Sequence, residues 1–183
     1  ILKPVAFGVI FGALLGAIFA LQLEGSILKI IIAIFALLAA IRIGFNIELK
    51  SSESKPKKLI SYVAGSVIGF LSSILGIGGG MFAIPYFRSA GLSLISSIGT
   101  SAACGIPIAL FSSLGFFIMG LGNSALPDLS LGYIYLPAVF GISITSVFAA
   151  KYGAQIAHYV STNTLRWLLA SLLLSISIYM VVI

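Results

Sequence analysis

The residues able to do chemistry in this chain are few, and they cluster. Gly76, Gly78, Gly79 and Gly80 fall in the run LGIGGG with Pro85 a few residues on, and the next segment carries Ser93, Ser97, Thr100, Ser101 and Cys104 within one arc at helical spacing. Glycines that break a helix leave backbone N–H groups without partners. The short segment from about Met81 to Phe87 would start with such amides and with the positive end of its dipole, which suits an anion. On this reading Gly78, Gly79 and Gly80 offer backbone donors, and Thr100 and Ser101 offer hydroxyls. Cys104, at the end of the stripe, either touches the substrate or fills space as a small apolar residue. Gly76, Pro85, Gly105 and Pro107 are hinge positions. Pro85 either pre-sets the first turn of its segment or frees the Met81 carbonyl, and Pro107 removes a hydrogen bond to Ala103 and predicts a kink. A packing role stands beside the binding one, because Gly76/Gly80, Gly65/Gly69 and Gly12/Gly16 all have the GxxxG spacing that lets membrane helices approach closely.

Several chemistries are excluded. There is no paired carboxylate, no metal-binding cluster and no base beside Cys104, so an enzyme is not expected, nor is a metal or cofactor. His158 has no zinc-like partner. No Gly-Lys-Ser/Thr follows the glycines, which rules out a phosphate loop. The formal charge of +6 gathers in one loop, where Arg42, Lys50, Lys55, Lys57 and Lys58 surround Glu48 and Glu53. That is the signature of a cytoplasmic loop beside membrane lipid, and nucleic acid binding is not expected.

The elements that must position these residues follow from composition. The chain is 60% hydrophobic and 8% charged, far below the roughly 25% charge of soluble domains. Continuously apolar runs, each near the roughly 20 residues needed to cross a bilayer, exclude an alternating β pattern and predict an all-α polytopic membrane helical bundle. Spans are expected over residues 4–22, 27–41, 93–121, 131–150 and 167–183. Positive charges place residues 42–58 and 151–166 on the cytoplasmic side of the cell inner membrane. Arg88 then lies inside as well, so residues 59–87 must enter and return within about 29 residues, where two spans would need about 40. A re-entrant helical hairpin with LGIGGG at its tip satisfies this, since glycine permits the turn.

An internal echo organises the whole. GAIFALQLEGSILK from Gly16 aligns with GAQIAHYVSTNTLR from Gly153 at an offset of 137 (153 − 16), and the two regions run in opposite directions. This predicts inverted repeats. Residues 1–41 would be the last two spans of an incomplete first repeat, 42–58 a basic linker, and 59–183 the second repeat. An upstream hairpin with its own Gly-rich motif is the expected missing portion, with a homo-oligomer as the other way to complete the unit.

GIGGGMFAIPYF, the downstream SIGTSAA and the distal GAQIAHYVSTNTLR together resemble the second half of the sulfite exporter TauE/SafE family of membrane permeases. The resemblance implies a secondary transporter for a small sulfur-containing anion such as sulfite, a sulfonate or sulfoacetate. The alternative is an accessory membrane subunit whose glycines only pack helices.

Overall fold

Long runs of Ile, Leu, Ala and Phe without interior charge form helices because every backbone group is then satisfied within its own segment. The computed structural model describes residues 2–45, 57–123 and 125–182. Its elements in chain order are α1 (Leu2–Gln22), α2 (Gly25–Gly44), α3 (Lys58–Leu75), α4 (Gly80–Ser89), α5 (Leu94–Met119), β1 (Ser130–Leu131), β2 (Ile134–Tyr135), α6 (Leu136–Tyr159) and α7 (Thr162–Val182). All of these helices except α4 are long and apolar enough to cross a membrane. Large apolar side chains stay exposed along them, for example Phe11 at 71% and Val147 at 70%. Surface of that kind is solvated by lipid tails, and the chain is a multi-pass all-α membrane protein.

The elements fall into two compact units, one holding α1, α3, α4 and α5, the other holding α2, the β-hairpin, α6 and α7. In the first unit α1 and α3 lie side by side and parallel. Gly8 abuts the Tyr62 carbonyl, Gly12 that of Ser66 and Gly16 that of Phe70, while Gly65 and Gly69 of α3 abut the carbonyls of Val5 and Val9. Glycines spaced by four on both helices interdigitate, so the backbones meet with no side chain between them. Phe19 and Phe70 continue the seam with ring centroids 5.6 Å apart. The core beside it is built from Val5, Val9, Ile68, Ala83, Phe87, Cys104 and Ile108.

In the second unit α2 and α7 run antiparallel. The buried Ser177 hydroxyl donates to the Ala33 carbonyl at 2.8 Å, and Gly44 sits against Ala170 at the other end. Ser177→Ala should cost only about 0.6 kcal/mol, the mean for such bonds between membrane helices, because the Ala33 carbonyl already sits within the hydrogen-bonding register of α2. Thermal unfolding in detergent measures it, and a loss of several kcal/mol would show that the bond organises this pair.

Three boundaries differ from the sequence expectation. Helix α6 starts at Leu136 rather than 131, because residues 130–135 form a small antiparallel hairpin turning at Gly132 (φ 58°), and Pro137 suits the first helical turn. The expected loop 151–166 is helical on both sides of Val160–Ser161, since α6 continues to Tyr159 and α7 starts at Thr162. The hairpin over 59–87 is asymmetric: α3 has 18 residues, about 27 Å, and α4 only 10, about 15 Å. Of the basic linker, residues 46–56 lie outside the described residues; Arg42 is in the last turn of α2, and Lys57 is the N-cap of α3.

Candidate functional site

Helix α3 ends where its sequence runs out of Cβ atoms. Gly76 takes the left-handed conformation (φ 63°), and the N–H groups of Gly76 and Ile77 both turn back to the Ser72 carbonyl. Only glycine adopts this geometry without strain, and the cap combines the 6→1 bond of a Schellman motif with the 5→1 bond of an αL cap. Ile77 and Gly78 cross over, Gly79 is the N-cap, and α4 returns antiparallel along α3. The Tyr86 hydroxyl donates to Ser61 Oγ at 3.0 Å near the start of α3 and ties the two limbs together. Pro85 lies six residues into α4, so it is not a first-turn proline. It withholds a donor from the Met81 carbonyl.

The N–H groups of Gly78, Gly79 and Gly80 donate to no backbone carbonyl among the described residues, and no side chain caps the start of α4. A Cβ built on Gly76 or Gly78 would meet nothing within 4 Å, in contrast to the buried glycines of the α1–α3 seam. These two glycines face space. A Cβ on Gly79 would strike Ile108 Cδ1 at 2.5 Å, and one on Gly80 would lie 3.8 Å from Ser101 Oγ.

The space is a cavity of about 200 Å³ between the end of α3, the glycine crossing and the middle of α5. It is lined by Ser72, Ser73, Gly76, Ile77, Gly78, Gly105, Ile108, Ala109, Ser112, Ser113 and Phe116. At about 30 Å³ per water it has room for about six, the size of one small oxyanion with part of its hydration shell. Ser72, Ser73 and Ser112 are 1%, 4% and 9% exposed, yet their hydroxyls have no hydrogen-bond partner within the described protein. A buried hydroxyl without a partner costs about 1–3 kcal/mol. All three belong to residues that line the cavity, with their oxygens beneath its surface. The donors are hydroxyls and peptide amides, and among the described residues no charged side chain lines the space.

Of the residues singled out in the sequence, the structure brings Gly76, Gly78 and Gly105 to this cavity. Gly79 and Gly80 form the amide terminus of α4 beside it. Thr100 is half-buried, Ser101 donates to its own helix at the Ile98 carbonyl (3.1 Å), and Cys104 is packed in the apolar core, so none of these three is part of the lining. Pro107 lies within α5 next to the lining residue Ile108. Sequence reasoning passed over Ser72, Ser73, Ser112 and Ser113. Their signal was present: Ser72-Ser73 immediately precedes the glycine break, and Ser112 continues the buried series Ser97, Ser101, Cys104, Ile108 at helical spacing.

The described residues form a multi-pass helical bundle with a helix broken beside an open pocket, and the comparisons with known proteins place the chain among membrane transport proteins. The chain is a member of the sulfite exporter TauE/SafE family, whose model matches residues 1–180. It is 41% identical over 122 residues to a probable membrane transporter protein of Haemophilus influenzae, covering 67% of this chain and 46% of that relative. A probable membrane transporter protein of Methanocaldococcus jannaschii is 28% identical over 160 residues, covering 86% of this chain and 58% of the relative. One from Sinorhizobium sp. is 30% identical over 118 residues, covering 64% and 40% respectively. The chain thus spans about half the length of the curated relatives it matches. No solved structure gives a significant match.

Proposed function

We propose that this chain supplies the substrate-holding part of a secondary transporter for a small sulfur-containing oxyanion, such as sulfite, a sulfonate or sulfoacetate, in the cell inner membrane. The observation that carries the reading is the cavity with three buried, partnerless hydroxyls at the glycine break. Ser72, Ser73 and Ser112 would donate to the anion's oxygens, with the amides of Gly78, Gly79 and Gly80 adding the positive end of α4. Family membership supports a sulfur oxyanion as the cargo. The parallel run of α1 and α3 puts Lys3 and Lys57 at one end of the first unit, in keeping with a cytoplasmic face there.

The accessory-subunit reading, in which glycines only pack helices, fits Gly8, Gly12, Gly16, Gly65 and Gly69, each of which touches a neighbouring backbone. It does not account for Gly76 and Gly78, which face open space. Binding of sulfite, sulfate and chloride to the purified protein tests the proposal, with Gly78→Leu alongside. That leucine would enter the cavity without a clash at its Cβ. Saturable binding of sulfite that Gly78→Leu abolishes, with the helical signal unchanged, is the expected result. Equal binding by both proteins would remove the cavity from the mechanism.

A further inference from the structure

Two glycines beside the cavity stand in opposite relations to Ile108. Gly79, the N-cap of α4, has φ −54° and ψ −11°, a conformation open to any residue. What bars a side chain there is Ile108. A Cβ on Gly79 would lie 2.5 Å from Ile108 Cδ1 and 3.9 Å from its Cγ1, and outside its own segment no other described atom lies within 4 Å. Gly78 is exposed and Gly79, next to it, is buried, so Ile108 covers the start of α4. It does so from the wall of the cavity, which Ile108 lines and Gly79 and Gly80 do not.

Gly105 is the reverse case. It sits inside α5, where glycine weakens a helix relative to alanine, yet a Cβ on it would meet nothing within 4 Å. No packing contact requires this glycine, and it lines the cavity. A helical side chain leans over the turn N-terminal to it, which for Ile108 is the turn carrying Cys104 and Gly105. Branching at Cβ holds χ1 of an isoleucine in a helix, so the part free to move is the δ-methyl. Residues three apart on a helix are neighbours. The δ-methyl therefore has two places within reach: one on Gly79, where it lies, and one over Gly105, which is empty.

We propose that Ile108 is the gate of the oxyanion site: its δ-methyl closes the cavity off from the start of α4, and it swings over Gly105 when an anion binds. The move transfers space from the α5 wall to the Gly79 side of the cavity. The anion thereby comes nearer to the peptide donors at the α4 terminus. The inference rests on the oxyanion reading above, and one set of variants separates the two.

Sulfite affinity is measured by titration calorimetry on the full chain in detergent, for wild type, Ile108→Val, Gly105→Ala and the two combined. Valine keeps the β-branch and lacks only the δ-methyl. Ile108→Val should bind sulfite about two- to tenfold more tightly, the equivalent of no longer moving one side chain out of its preferred rotamer. Gly105→Ala fills the empty place and should weaken binding by a similar factor. In the combined variant that loss should vanish, because no methyl remains on Gly79 to displace. An alanine that merely crowds the cavity would weaken binding equally with Ile or Val at 108, and that result overturns the gate. Wild-type affinity in Ile108→Val overturns it too. Thermal melts read the same geometry without ligand. Gly79→Ala alone should melt near wild type, its Ile108 having moved over Gly105, while Gly79→Ala with Gly105→Ala should melt lower than the two single shifts add up to. Additive shifts would mean that the methyl has no second place. If no folded variant binds sulfite, the oxyanion reading falls and the gate with it; sulfite binding indifferent to residues 105 and 108 removes the gate alone.

Discussion

Replacing Ser72 and Ser112 together by alanine should weaken sulfite binding by about a hundredfold or more, while the ligand-free protein unfolds at the same temperature or a higher one. A hydrogen bond to a charged group contributes about 1.5–3 kcal/mol, so losing two corresponds to at least about 3 kcal/mol of affinity. Stability moves the other way because neither hydroxyl has a partner in the described protein. Alanine removes an unsatisfied buried group and leaves the apolar packing of its Cβ in place. Titration calorimetry in detergent gives the affinity and a thermal melt gives the stability. A double mutant that binds sulfite as wild type does would refute the assignment of these hydroxyls. One that merely melts early would mean that they bond within the fold.

The second large effect concerns the α1–α3 seam. Gly12→Leu should destabilise the protein by about 3 kcal/mol, at the upper end of overpacking costs, or prevent assembly of the first unit. A Cβ there would fall closer than 3.0 Å to three atoms of the α3 backbone, and backbone cannot swing aside as a side chain can. Gly99→Ala in α5 is the matched control. It meets nothing within 4 Å, and removing a helical glycine should stabilise by about 0.5–1 kcal/mol. Thermal melts of the two variants in one detergent decide the matter. Similar melting of Gly12→Leu and wild type would show that α1 and α3 can part without cost.

How much of this was legible in the sequence depended on the length scale of the signal. The spans were readable because uncharged runs of about 20 residues have one stable form in lipid. The break at LGIGGG was readable because consecutive glycines cannot hold a helix. Partnership between helices was not readable. Gly12/Gly16 and Gly76/Gly80 have the same spacing, yet Gly12 touches the Ser66 carbonyl while a Cβ on Gly76 would meet nothing. The difference lies in which helix happens to be adjacent. The hydroxyls followed the same rule. Thr100 and Ser101 looked like donors from their position on a face, but Ser101 bonds its own helix while Ser97 of the same stripe is buried and without a partner among the described residues; the partnerless hydroxyls beside the cavity, Ser72, Ser73 and Ser112, come from segments about 40 residues apart that only tertiary packing brings together.

The neutral lining of the cavity bears on timing and on acidity. Among the described residues no arginine or lysine lines the cavity, so the proposed site would hold an ion by dipoles alone, a shallow well of the kind a transport cycle needs for quick release. None of the described lining residues gains or loses a proton between weakly acid and weakly alkaline solution. For the site proposed above, a plot of affinity against pH is therefore expected to follow the acid dissociation of the oxyanion, and a titration calorimetry series across pH checks it.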